Sequence, residues 1–131
     1  MTANKETLLG QAERAAAKAH APYSNFRVGA VVVLDDGSTF EGCNVENAAY
    51  GASVCAEANA ITSAVASGAT AVDTVAVVCL DGGLCTPCGN CRQIMREFGV
   101  RKVVMREASG SPIEVSLEDL LPRSFGPEAL R

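Results

Sequence analysis

Two stretches of this chain, residues 26–34 (Phe26-Arg27-Val28-Gly29-Ala30-Val31-Val32-Val33-Leu34) and 72–80, are apolar and β-branched almost throughout, and a third central strand is expected at 101–106. A strand with one wet face alternates apolar and polar side chains, whereas a strand covered on both faces reads as a continuous apolar run. Such runs require a sheet with packed material above and below it. Segments of helical period can supply that cover. Leu8, Ala12, Ala15, Ala16 and Ala19 recur at helical spacing, which predicts a helix over 4–20 stopped by Pro22. A second Ala-rich helix is expected over 55–67, ended by Gly68. Thr86-Pro87 reads as N-cap and first residue of a third, running to 98 and closed by Gly99.

The remaining segments fill in the order of elements. Asp35-Asp36-Gly37-Ser38 is a hairpin turn, with a return strand over 39–45. Ser109-Gly110-Ser111-Pro112 breaks the chain before a short strand at 113–115. Ser116-Leu117-Glu118-Asp119 outlines a capping box, with Asp in place of the usual Glu, opening one helical turn that Pro122 ends. An opening hairpin followed by alternating helices and strands predicts an α/β fold, a three-layer α/β/α sandwich. With 131 residues and no repeats or linkers, the expectation is a single domain over 1–131.

Composition narrows the partners. Hydrophobic residues at 48% and charged ones at 20% exclude a disordered or fibrous chain. A formal charge of −4, with no run of Lys or Arg and no basic groove interleaved with aromatics, argues against nucleic acid and for a small neutral or cationic substrate. Met1 to His20 lack the apolar region of a signal peptide, and no apolar stretch reaches the length of a membrane span. Six cysteines without an export signal imply a reducing, cytoplasmic setting, where metal binding outweighs disulfides. Cys43 and Cys79 lie in strand-like runs and read as small buried hydrophobes. Cys55, Cys88 and Cys91 read as loop-to-helix junctions. Cys85 is ambiguous, because Cys85, Cys88 and Cys91 form a C-x-x-C-x-x-C run that could itself hold a metal.

Cys55-Ala56-Glu57 and Pro87-Cys88-Gly89-Asn90-Cys91 supply three soft zinc ligands and one carboxylate. A structural zinc site closes its tetrahedron with four protein ligands, whereas a catalytic one keeps a corner for water. Cys88 and Cys91 share one face of a first helical turn, and Cys55 stands at the start of the preceding helix. Three thiolates leave a net negative charge on the metal's shell, and the N–H groups and positive dipole ends of both helices draw some of it back. Glu57 would diverge from Cys55 by about 200° in a regular helix. If Cys55 is a non-helical cap, both can face one cleft. Glu57 could then carry protons between water, a ring nitrogen and a leaving amine. On the residues alone other arrangements compete: Glu57 as a first-turn partner of the helix dipole, a redox C-x-x-C, or a four-cysteine structural site completed by Cys85.

These segments resemble the zinc-dependent base deaminases, and more closely the homotetrameric type of cytidine deaminase. Pro22-Tyr23-Ser24-Asn25-Phe26-Arg27-Val28-Gly29-Ala30, Gly42-Cys43-Asn44-Val45-Glu46-Asn47 and Leu120-Leu121-Pro122-Arg123-Ser124-Phe125 carry the resemblance together with the two cysteine segments and Arg92-Gln93. They follow the family's order and spacing over nearly the whole chain. The resemblance implies a central mixed five-stranded sheet and hydrolytic deamination of cytidine and deoxycytidine in pyrimidine salvage. It implies one Zn²⁺ per chain on Cys55, Cys88 and Cys91, with Glu57 moving protons. Asn44 and Glu46 would hold the ribose, Phe26 would line the base, and the Ala56 backbone would read the pyrimidine. Phe125 would reach a neighbouring subunit's site in a homotetramer.

Some of this has independent support in the residues. Asn44 and Glu46, two apart, face the same way if strand geometry persists, and a buried Glu46 would discriminate strongly against a free base. One position departs from the family. Many members carry Arg directly after the catalytic Glu, where its guanidinium offsets the thiolate charge; here that position is Ala58. Relief must come from Arg92, Gln93, Asn59 or the helix ends, and the acidic limb of the pH–rate profile is expected to lie higher than in Arg-bearing relatives. A deaminase of another amino-heterocycle would keep the same zinc core, and a zinc-stabilised binding module remains the non-enzymatic reading.

Overall fold

A computed structural model describes residues 4–131; the first three residues of the expected 1–131 domain lie outside the described span. The elements are α1 (Lys5–Ala16), β1 (Val28–Val33), β2 (Thr39–Cys43), α2 (Ala56–Ala66), β3 (Thr74–Cys79), α3 (Gly89–Glu97), β4 (Lys102–Arg106), β5 (Pro112–Ser116) and α4 (Leu117–Leu120), with single 3-10 turns at Tyr50–Ala52 and Pro127–Ala129. The sheet order is β2-β1-β3-β4-β5. β1 pairs antiparallel with β2 and β3, β3 pairs parallel with β4 through the α3 crossover, and β4 pairs antiparallel with β5. The sheet is mixed and five-stranded, as expected.

Residues of the central strands are buried on both faces. Every residue of β3 is buried, as are the first five of β1 and the middle three of β4. Val31, Ala76, Val78 and Val104 pack under Leu8, Leu9 and Ala12 of α1. Ala30, Val32, Val75, Val77 and Val103 face Ala56, Ala60, Ile61 and Met95 of α2 and α3. The two-residue alternation sends neighbours along one strand to opposite layers. Each fully buried Val or Leu there contributes roughly 1.5–3 kcal/mol. The edge strands β2 and β5 alternate in burial instead.

Two boundaries differ from expectation for identifiable reasons. α1 ends at Ala16 rather than near 20, because the His20 backbone is drawn into pairing with the segment after β2: His20 N–H donates to Asn44 O (3.0 Å) and Glu46 N–H to His20 O (2.7 Å). α3 begins at Gly89 with Cys88 as N-cap, so Thr86 and Pro87 precede the helix instead of opening it. Cys88 is extended (φ −68°, ψ 168°), a backbone setting that brings its thiol to those of Cys55 and Cys91. Gly68 and Gly99 close their helices in the left-handed region (φ 106° and 73°). Ser116 caps α4 by accepting from Asp119 N–H (3.1 Å).

Candidate metal centre and active site

α2 and α3 start side by side, and each has a cysteine as its N-cap. Cys55 is extended (φ −73°, ψ 155°), as the placement of Glu57 requires. The Sγ atoms of Cys55, Cys88 and Cys91 all lie within 4.8 Å of one another. Three sulfurs so close, from two elements of a rigid sandwich, fit one zinc ion, which prefers thiolates at about 2.3 Å. Cys85 is not in the group. It is buried, and its thiol is pushed up to about 12 by burial and by the negative charges of Glu57 and Cys79. Among the described residues no fourth cysteine, histidine or carboxylate joins the cluster. The four-cysteine alternative therefore lacks its fourth ligand.

The thiols are not equivalent. Burial pushes Cys91 up, and the charges of Glu57, Cys55 and Cys88 push it further. Burial is also the main cause that raises Cys55. Burial opposes ionisation at Cys88 too, yet the N–H groups of Cys91 and Asn90 and the neighbouring thiols outweigh it and draw this thiol down. At Cys88, then, relief for thiolate charge comes in part from the start of α3. The three side chains offered for that task are engaged elsewhere. Arg92 donates to Pro87 O (2.8 Å) and Leu120 O (2.7 Å), Gln93 to Phe125 O (2.9 Å) and Asn59 to Cys43 O (2.7 Å). Cys43 is half-buried rather than fully buried, and it is its carbonyl that ties β2 to α2.

Glu57 is 5% exposed, one of two buried polar or charged residues among those described. Burial raises its carboxyl above the ordinary range, against opposing help from its own backbone N–H and from Cys91. Ala56, fully buried, stands between it and Cys55.

The segment after β2 lies against this centre. Val45 and Val54 exchange backbone hydrogen bonds in both directions (2.9 Å each), so Asn44 and Glu46 flank a residue paired one step before Cys55. Asn44 accepts from Val28 N–H (2.8 Å) and donates to Phe26 O (2.8 Å), clasping the backbone that carries the Phe26 ring. Glu46 Oε1 accepts from Tyr23 N–H (2.9 Å) and Ser24 N–H (3.1 Å), and Oε2 from Ser24 Oγ. These donors, Ser24 Oγ foremost, hold the Glu46 carboxyl below the usual carboxylate range. Glu46 is half-buried rather than buried, and lines a cavity of about 340 Å³ with Tyr23, Ser24, Tyr50 and Ser53. Phe26 is 42% exposed, with Gly82 against its ring. Phe125 belongs to a different part of the chain: it sits on the tail held against α3, 60% exposed.

Sequence reasoning assigned no role to Tyr23 and Ser24, which orient Glu46 from 22 and 23 residues away. It also passed over Asp81, which receives Arg27 through its backbone N–H (2.8 Å), Nε (3.1 Å) and Nη2 (2.9 Å) at the entry to β1. No periodicity marks a partner chosen by tertiary approach.

Residues 2–107 match the family model described as the cytidine and deoxycytidylate deaminase zinc-binding region. A cytidine deaminase of Sporosarcina psychrophila is 39% identical over 127 residues, covering 95% of this chain and 93% of that protein. The solved structure of cytidine deaminase from Burkholderia pseudomallei superposes with a TM-score of 0.87 at 45% identity, covering 94% of this chain and all of that one. The Mycobacterium tuberculosis cytidine deaminase structure gives 0.83 at 38% identity, covering 95% and 98%.

Proposed function

The chain belongs to the cytidine and deoxycytidylate deaminase family, and from that membership we propose that it hydrolytically removes the 4-amino group of cytidine and deoxycytidine, giving uridine or deoxyuridine and ammonia in pyrimidine salvage. The observation that carries this reading is a three-sulfur cluster at two helix starts with a buried carboxyl beside it. Cys55, Cys88 and Cys91 would hold the zinc. Zinc bound there supplies Lewis acidity toward water and toward the charge that develops during attack.

The chain's own groups do the rest. Glu57 Oε takes one proton from the attacking water and passes it to the pyrimidine ring nitrogen, then takes the second from the new C4 hydroxyl and gives it to the departing amine. Burial raises its carboxyl, so at neutral pH its proton affinity lies nearer what a two-way carrier needs. Water adds to C4, the C4–N bond breaks and ammonia leaves.

Glu46, ionised and already accepting from three donors, has acceptor capacity left for a ribose hydroxyl. Asn44 fixes the backbone at Phe26 and keeps one amide hydrogen for the sugar. The Phe26 ring lines the base, and the peptide at Ala56 reads the pyrimidine. A free base leaves the Glu46 acceptor without its ribose hydroxyl, so free cytosine is expected to be a poor substrate. The working unit in this reading is a cytoplasmic homotetramer of single-domain chains spanning 1–131, in which Phe125 of one subunit closes on the base in the next. Among the described residues no helix is long and apolar enough to cross a membrane.

The test is ammonia release from a panel of cytosine nucleosides, nucleotides, free bases and other amino-heterocycles, with zinc measured on the same preparation. Turnover confined to cytidine and deoxycytidine, at one zinc per chain, is the expected result. Preference for another amino-heterocycle would replace the substrate, and zinc without any turnover would leave a binding module.

A further inference from the structure

The tail after α4 is fastened to the helix that carries Cys91. Gln93 Nε2 donates to the Phe125 carbonyl (2.9 Å), Arg96 Nε donates to Ser124 Oγ (2.8 Å), and Arg96 Nη2 pairs with the Glu128 carboxylate. Arg92 holds the root of the tail at Leu120 O (2.7 Å). The chain enters through Arg123 at φ 54°, a left-handed setting that a side chain with a Cβ adopts only under restraint. It leaves through Gly126, where a Cβ would lie 2.4 Å from Cζ and Nη2 of Arg96. The guanidinium therefore rests on bare Gly126 backbone, and any side chain there would push it off Ser124 and Glu128.

Ser124, the Phe125 carbonyl and Glu128 are thus tied to α3, with Gly126 packed against Arg96, while the Phe125 ring stays 60% exposed. A side chain that packs in its own core needs no such harness, since burial holds it. A backbone restrained around an exposed ring limits the ring's freedom before it meets anything, which is how preorganisation lowers the entropy lost on binding.

We propose that Gln93, Arg96 and Gly126 are positioning residues that preset the Phe125 ring to close on the base in a neighbouring subunit's site. This rests on the role given to Phe125 under the proposed function. It adds that the metal-bearing helix and the aromatic prong form one body, so a subunit that has assembled its own metal centre also presents the ring its neighbour needs.

Steady-state kinetics on cytidine for Arg96→Ala, Gln93→Ala, Arg96→Lys, Phe125→Ala and the Arg96→Ala/Phe125→Ala double variant test it, with zinc content and oligomer size measured on each. Arg96→Ala and Gln93→Ala are expected to raise KM about three- to tenfold with kcat within about twofold. Arg96→Lys, which keeps one donor, should recover part of the loss. The double variant should be no worse than Phe125→Ala alone, because a harness is useless without its ring. Gly126→Ala displaces the guanidinium without removing charge and carries the same comparison if Arg96→Ala loses zinc or assembly. Full additivity in the double variant, or an unchanged KM in Arg96→Ala and Gly126→Ala beside a raised one in Phe125→Ala, overturns the positioning role alone. An unchanged KM in Phe125→Ala overturns the reading on which it rests.

Discussion

Gly42→Ala adds one carbon where β2 meets the start of α2. The new Cβ would lie 2.5 Å from Ala56 O and 2.5 Å from Ala60 N, both backbone atoms of a helix whose Ala60, Ile61 and Ala64 are fully buried. Ordinary carbon contacts begin near 3.5 Å, so the first turns of α2 must retreat by roughly 1 Å. Overpacking of this kind costs about 1–3 kcal/mol. For a chain of this length that lowers the melting temperature by roughly 4–11 °C. The displaced turn carries Cys55 and Glu57. A thiolate moved by about 1 Å cannot keep a zinc bond of about 2.3 Å while Cys88 and Cys91 stay in place, and a comparable misplacement at reacting groups costs about 10²-fold in rate. Thermal melting, zinc per chain and kcat/KM should therefore fall together. Gly51→Ala is the control, since nothing lies within 4 Å of the added carbon there, and it should stay within about 0.5 kcal/mol. If Gly42→Ala melts within about 2 °C of the parent with full zinc and turnover, the close approach does not position the site.

Gly29→Ala drives a Cβ to 1.9 Å from Ala12 O, so α1 rather than α2 must move; melting should fall while the folded fraction keeps its zinc, and joint loss of both would contradict this division. Glu57→Ala should lower kcat by about 10²–10⁴-fold with zinc retained, and an unaffected rate would remove the carboxyl from the chemistry. Asp73 accepts from Arg101 Nε (2.6 Å) and Thr74 Oγ1 (2.7 Å), and Arg101 foremost holds its carboxyl below the ordinary range despite some burial. A depressed folded pKa contributes stability that is complete above the unfolded value of about 3.9 and is lost as pH falls through the folded one. Asp73→Asn should therefore cost less than about 1 kcal/mol at pH 7, Arg101 being well exposed, and the gap to the parent should narrow as pH falls below about 3.9; a gap of constant size would sink the assignment. Ala58 leaves thiolate relief to peptide N–H groups, and the acidic limb of the pH–rate profile should lie above that of Arg-bearing relatives measured side by side.

Strand identity was legible because burial on both faces leaves a mark in one dimension: β1 and β3 are continuous apolar runs, and both are covered by helices. The cluster of Cys55, Cys88 and Cys91 was legible for a similar reason, since Cys88 and Cys91 meet through local helix geometry and Cys55 opens the neighbouring helix. What local spacing cannot encode is which distant backbone reaches a segment first. The early end of α1 depends on His20 pairing with Asn44 and Glu46. The exclusion of Cys85 depends on loop direction between β3 and α3, since its spacing to Cys88 equals that of Cys88 to Cys91. The partial exposure of Glu46, its Tyr23 and Ser24 donors, and the harness on Phe125 all join residues 22 to 32 positions apart. Periodicity and caps are short-range consequences of backbone geometry, so the sequence by itself determined the elements, their layers and the chemistry of the cysteines. Long-range approach is settled only when competing surfaces are buried together, and there the tertiary structure decided how each functional side chain is held.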